Sequence, residues 1–228
     1  MLSKNFLILA YICLMFLSAI FFLYLSKKRH KIPLYYYFIH FFIVLWSGLM
    51  YLNIYFKSPI ASYAYYADWI FTTPLIILAL ALTAMSKQDI KIELIALAMG
   101  LQAATILLGL LAQLQTGVAK YFFFFMGCLT MLGMFYIFLK PINDMAKKYD
   151  HVFHRYKILL NFVLVFWVAY PVIWLLGTPG TSYFSEYLTT TFFVILPFFC
   201  KSIFGFLDLF LLNQIYNNSI AYSKKKRT

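Results

Sequence analysis

Three residues of this 228-residue chain carry charge inside apolar sequence: Lys201, Asp68 and Asp208. Lys201 stands in the middle of TFFVILPFFCKSIFGFLDLFLL, and no other Lys or Arg is flanked by so much apolar sequence on both sides. If that run crosses a bilayer, the lysine lies near mid-depth. A charged side chain there costs roughly 2.5–3.5 kcal/mol even on lenient insertion scales, which marks the position as functional. A lysine amine is also the nucleophile that condenses with a carbonyl compound to an imine. Of the seven acidic residues, Asp89, Glu93, Asp144, Asp150 and Glu186 fall in loops or at helix ends, leaving Asp68 and Asp208 within spans. Asp208 follows Lys201 by seven residues, nearly two helical turns, so both side chains share a face with a rise of about 10.5 Å. The ordinary alternative is an aspartate near a helix end that reaches water. The apolar run continues through LFLL at 209–212, which argues against it.

A membrane is what positions these residues. The chain is 64% hydrophobic and 11% charged, against about 25% charged in soluble domains. A span takes about 20 apolar residues, so the length allows seven spans, one domain over 1–228 and no second soluble domain. The expected spans are 5–25, 33–56, 61–85, 92–114, 121–140, 157–176 and 186–213, in an all-α seven-transmembrane bundle. The first apolar run is too long for a signal-peptide core and reads as a span. Pro74, Pro171 and Pro197 lie inside spans, where each removes a backbone donor and bends its helix. YFFFF at 121–125 reads as an interfacial aromatic belt.

One set of loops holds Lys27, Lys28, Arg29, Lys31, Lys87, Lys91, Lys140, Lys147, Lys148, Arg155, Lys157, Lys224, Lys225, Lys226 and Arg227; the opposite set holds Lys4, Lys57 and Lys120. That asymmetry places the N-terminus outside and the C-terminus, with a basic tail over 214–228, in the cytoplasm. The net charge of +12 is thus a topology signal beside anionic lipid, and no nucleic-acid partner is expected. Cys13, Cys128 and Cys200 fall inside apolar runs, so neither a metal site nor a disulfide is expected.

With these features assembled, the chain resembles the microbial rhodopsins over essentially its whole length. YADWIFTTPL at 66–75 is similar to their third helix. Trp167, Tyr170, Pro171 and Trp174 in FWVAYPVIWLLG match the sixth, and Lys201 followed by Gly205 matches the retinal lysine of the seventh. The resemblance implies all-trans retinal bound to Lys201 as a protonated Schiff base, with Asp68 as counterion. A buried cation needs such a counter-charge to keep its proton. It implies a retinal pocket of Trp69, Thr73, Ile76, Thr105, Gly109, Phe124, Met131, Trp167, Tyr170, Pro171, Trp174 and Pro197, where aromatic core packing would otherwise be the plain reading. It further implies a multi-pass protein of a prokaryotic plasma membrane, a homotrimer, and a transducer of light rather than an enzyme.

Departures from the family pattern set the expected direction. Outward pumps carry a second aspartate four residues before the lysine, where this chain has Pro197, and a donor carboxylate at the position of Ala79. Tyr65 replaces their usual arginine, and Pro179 and Thr189 replace the outer carboxylates. Proline at the second counterion position is similar to xenorhodopsins, which are inward proton pumps, and to a related sensory rhodopsin. Asp208 matches the cytoplasmic carboxylate of the former. His40 is expected to pair with Asp68, with Ser47 two turns further along the same face and Thr72 also on the proton path. The expectation is inward transport, with release to the cytoplasm past Asp208 and uptake near Asp68, His40 and Tyr65. A photosensor with a soluble partner, an outward pump, and a seven-helix transporter or receptor without retinal are the alternatives.

Overall fold

The computed structural model describes residues 3–28 and 31–225, with side chains described as far as 217. Arg29 and the expected basic residues Lys226 and Arg227 lie outside the described residues, as do the side chains of Lys224 and Lys225. The described residues form nine α-helices in chain order: α1 (Lys4–Lys27), α2 (Leu34–Tyr55), α3 (Ala64–Ala84), α4 (Ile92–Leu114), α5 (Gly117–Leu139), α6 (Pro141–Ala146), α7 (Asp150–Leu176), α8 (Glu186–Phe198) and α9 (Phe204–Lys225). Among the described residues there is no strand. In hydrocarbon a backbone can satisfy its own N–H and C=O groups only by coiling into a helix or closing into a barrel. Seven of the described segments are long and apolar enough to cross a membrane, the seventh being Glu186–Asn217, which runs through α8, a π-turn at Phe199–Ile203 and α9.

Helices adjacent in sequence pack on one another from α1 to α5, α7 packs on α9, and α1 meets α8 to close the ring. The third and seventh spans lie deepest, with 72% and 61% of their apolar windows buried, against 17% for the fourth. The two spans that carry Asp68 and Lys201 are therefore the core of the bundle, while α4 turns most of its surface outward.

The helices outrun the expected spans where their flanks are polar. α5 starts four residues earlier than 121, α7 seven earlier than 157, and α9 continues past 213. Hydropathy detects the apolar slab, whereas a helix ends only where its backbone bonds stop. The short α6 opens on Pro141, whose missing N–H costs nothing in the first turn.

Pro197 shows how the bundle accommodates a proline. It has no N–H for the carbonyl of Phe193 four residues back, and the Tyr51 hydroxyl from α2 donates to that oxygen instead. The π-turn that follows contains Lys201, as such wide turns often do at functional positions.

Candidate functional site

The seventh span holds two buried clusters, one at each of its charged residues. At Lys201, the ammonium donates to Asp68 Oδ2 and, at 2.9 Å, to Ser47 Oγ. Ser47 donates to the same carboxylate oxygen at 3.0 Å. Thr72 donates to the Asp68 carbonyl at 2.8 Å and reaches Oδ1 at 3.3 Å. Tyr11 of α1 completes the set, 2.6 Å from Ser47 Oγ. Lys201 is 1% exposed and Asp68, Ser47 and Thr72 are 0% exposed. A buried ion pair survives only when hydrogen bonds satisfy its remaining lone pairs and protons, and here the hydroxyls of Ser47 on α2 and Thr72 on α3 do so.

The second cluster lies toward the basic end of the bundle. Asp208 Oδ2 is 2.8 Å from His40 Nε2, and Thr83 donates to Oδ1 at 2.7 Å. All three residues are 0% exposed. His40 Nδ1 has no partner among the described residues; against an ionised Asp208, Nε2–H is the donor and both carboxylate oxygens accept. Rings of Phe22 and Phe204 pack against the imidazole at 5.6 and 5.8 Å. Gly205 makes room: a Cβ there would stand 3.1 Å from His40 Nδ1 and 2.7 Å from Phe22 Cζ.

This arrangement corrects the expected pairing of His40 with Asp68. His40 and Ser47 do share a face of α2, but they stand two turns apart. Ser47 is the residue level with Asp68, and His40 is level with Asp208. Because α2 and α3 run in opposite directions, a residue count along one helix does not give the depth on the other. Tyr65 is half-buried and contributes an aromatic wall, its ring 5.4 Å from Tyr51 and 6.0 Å from Trp69.

Beside Lys201 opens a cavity walled mostly by aromatic and apolar side chains, as ligand sites are. Of the residues named for a retinal pocket, Trp69, Thr73, Ile76, Thr105, Gly109, Phe124, Met131, Trp167, Tyr170, Pro171 and Trp174 line this cavity together with Lys201; Pro197 does not. Pro197 instead shapes the helix one turn before the lysine. Gln102, Tyr66 and Cys200 also line the cavity, beyond the residues that the sequence pattern names. Gln102 donates to Thr73 Oγ1 at 3.1 Å, and Trp174 Nε1 donates to Tyr66 at 2.8 Å while its ring stacks on Phe124 at 4.8 Å. An amine and carboxylate at one end of an aromatic slot fit a long apolar aldehyde. Trp69 Nε1 and Gln102 Oε1, buried without partners among the described residues, are the polar atoms left on that wall.

Sequence reasoning also missed Tyr11 and Thr83. Each is a lone hydroxyl in a buried apolar stretch, the one signal that pointed to them, since a buried hydroxyl needs a partner.

The fold and the site define a multi-pass membrane protein built around a buried lysine–carboxylate pair beside an aromatic cavity. The sequence profile of the family described as bacteriorhodopsin-like protein matches residues 2–215, and the chain belongs to that family. The family holds retinal through a Schiff base to a lysine. The chain is 34% identical over 151 residues to archaerhodopsin-3 of Halorubrum sodomense, covering 64% of this chain and 56% of that protein. It is 32% identical over 146 residues to sensory rhodopsin-2 of Natronomonas pharaonis, covering 63% and 59%. The chain thus matches less than two thirds of the length of these curated relatives. Among solved structures it is similar to that of the inward H(+) pump xenorhodopsin, with 38% identity, a TM-score of 0.84 and 91% and 92% of the two chains covered. Thermophilic rhodopsin from Rubrobacter xylanophilus shares the fold, with a TM-score of 0.86 at 24% identity over 94% and 97%.

Proposed function

We propose that the protein is a light-driven inward proton pump of the xenorhodopsin kind, with all-trans retinal on Lys201. The observation that carries this reading is the buried Asp208–His40–Thr83 cluster on the basic side of Lys201. The charge asymmetry of the loops supports reading that side as cytoplasmic. The position of a cytoplasmic donor carboxylate on α3 is instead Ala79, 0% exposed. The 38% identity to an inward pump supports the same direction.

Retinal, when bound, supplies a light-driven isomerisation that turns the proton on the Lys201 nitrogen from one side of the bundle to the other. In the resting arrangement Asp68 holds the counter-charge, and Ser47 and Thr72 keep its lone pairs occupied. On the cytoplasmic side Asp208 is the acceptor, with Thr83 fixing one oxygen and His40 the other. Release then follows along α9 to the basic end. Uptake comes from the opposite side, past Tyr65 and Tyr51 toward Asp68. His40 belongs to the release side, not the uptake side. Direction follows from which half is accessible when each group changes its proton, an alternating-access scheme.

The test is direct. Cells expressing the protein are supplied with retinal and illuminated at low buffering. A rise in external pH that a protonophore abolishes supports inward transport. A fall refutes it in favour of outward transport, and no change refutes it in favour of a sensor.

A further inference from the structure

We infer that Tyr11, on α1, is a positioning residue for the Lys201–Asp68 pair: its phenol fixes the direction of the Ser47 hydroxyl and so holds Ser47 as a donor to Asp68. The inference rests on the proposed function only in taking that pair as the working one.

Hydrogen-bond valence carries it. Ser47 Oγ has one proton and two lone pairs, and it has three partners: Lys201 Nζ at 2.9 Å, Asp68 Oδ2 at 3.0 Å and Tyr11 at 2.6 Å. The ammonium can only donate and the carboxylate can only accept. The second lone pair is therefore left for the phenol, and Tyr11 must donate. Every role at Ser47 is then determined.

The order has a consequence for the pair. Suppose Asp68 takes a proton and turns it toward Ser47. Either the Ser47 proton or the Tyr11 proton would then lack an acceptor, since Tyr11 has no other hydrogen-bond acceptor among the described residues. Tyr11 thus opposes neutralisation of Asp68. A Lys201 carrying the chromophore keeps at most one N–H, and the order from Tyr11 through Ser47 to Asp68 needs none of the amine protons. Other titratable groups facing this site are Tyr51 from α2, Tyr65 from α3, Tyr170 from α7 and Cys200 beside Lys201. None of them is given a hydrogen bond to Ser47, so none replaces what Tyr11 does.

Tyr11→Phe removes one oxygen and keeps the ring, which packs against Tyr51 with centroids 4.1 Å apart. A counter-charge near the cationic end of a polyene widens its optical gap, so neutralising Asp68 shifts the pigment to the red. In a pH titration of the visible band, Tyr11→Phe is expected to move the midpoint of that red shift upward by about one pH unit, the size of one hydrogen bond. Ser47→Ala should displace the midpoint as well, and Tyr11→Phe should then add nothing in the Ser47→Ala background. An unmoved midpoint, or an equal effect of Tyr11→Phe with and without Ser47, overturns the inference. The same titration can be read in retinal-free protein from the infrared carboxyl band that Asp68→Asn removes. Failure to form pigment would refute the proposed function, while the infrared midpoint still decides the role of Tyr11.

Discussion

Replacing Asp208 by asparagine alters one atom of a buried carboxyl and separates its two roles, support of the bundle and receipt of a proton. Oδ1 takes the Thr83 hydroxyl at 2.7 Å and Oδ2 takes His40 Nε2–H at 2.8 Å. If the amide oxygen of the new side chain keeps Thr83, its NH₂ faces Nε2, which must become an acceptor. The imidazole proton then moves to Nδ1, which lies against Gly205 with no partner among the described residues. Turning the amide over puts NH₂ against the Thr83 hydroxyl, which can accept from it but loses the acceptor for its own proton. Either way a buried N–H or O–H donor is left unpaired, where the parent leaves only the Nδ1 acceptor so, at about 1–3 kcal/mol. Thermal bleaching of the pigment should show that loss as a lower midpoint. Transport should suffer more, because an amide cannot take the proton and removal of a positioned base typically costs about 10²–10⁴ in rate. The assay is the initial rate of light-driven external alkalinisation per pigment, with flash kinetics alongside. A rate within about twofold of the parent would refute the acceptor role.

Three further outcomes follow from the same geometry. Lys201→Ala should bind no retinal covalently and show no visible band, and a persisting band would remove Lys201 from the chemistry. Tyr51→Phe strands the Phe193 carbonyl behind Pro197, so the thermal midpoint should fall by the equivalent of about 1–3 kcal/mol with little change in colour. An unchanged midpoint would show that this carbonyl finds another donor. Gly205→Ala places a Cβ 2.7 Å from Phe22 Cζ and 3.1 Å from His40, an overpacking worth about 1–3 kcal/mol. It should slow transport by displacing His40 while leaving the absorption maximum nearly in place, and a normal transport rate would contradict the tight fit.

How much of this was legible beforehand depended on which physical signal each residue leaves. Lys201, Asp68 and Asp208 stood out because charge in an apolar run is costly wherever it falls. The spans were legible for the same reason, and their polar extensions at Asp150 and beyond Asn213 were not, because hydropathy is blind to helix outside the slab. Most of the cavity wall could be named through the rhodopsin resemblance, with Pro197 the exception. Partnerships were harder. His40 was noticed, but its partner depends on the relative depth of antiparallel helices, which no spacing within α2 contains. Tyr11 and Thr83 were passed over because single hydroxyls on different helices mean little until packing brings them to a carboxylate.

Charge accounting in the two clusters explains why a proton would move between them in the proposed direction. The Lys201–Asp68 pair is neutral as a unit. The Asp208 cluster joins a carboxyl to an imidazole and a hydroxyl, with no exposed surface. It offers an arriving proton two places to settle, the carboxyl oxygen and the imidazole nitrogen beside it. Ala79 offers α3 no competing carboxylate, and Thr83, one turn further on, contributes a donor rather than an acceptor. Transfer would leave the unpaired negative charge on Asp68, where Ser47 and Thr72 already donate to it and the tyrosine-lined side is the route for its relief. Lys201 and Asp208 share one span with a rise of about 10.5 Å between them, too far for a direct hydrogen bond. On the proposed reading, the step that light drives is therefore the bridging of that gap, with Asp208 and His40 on the receiving side.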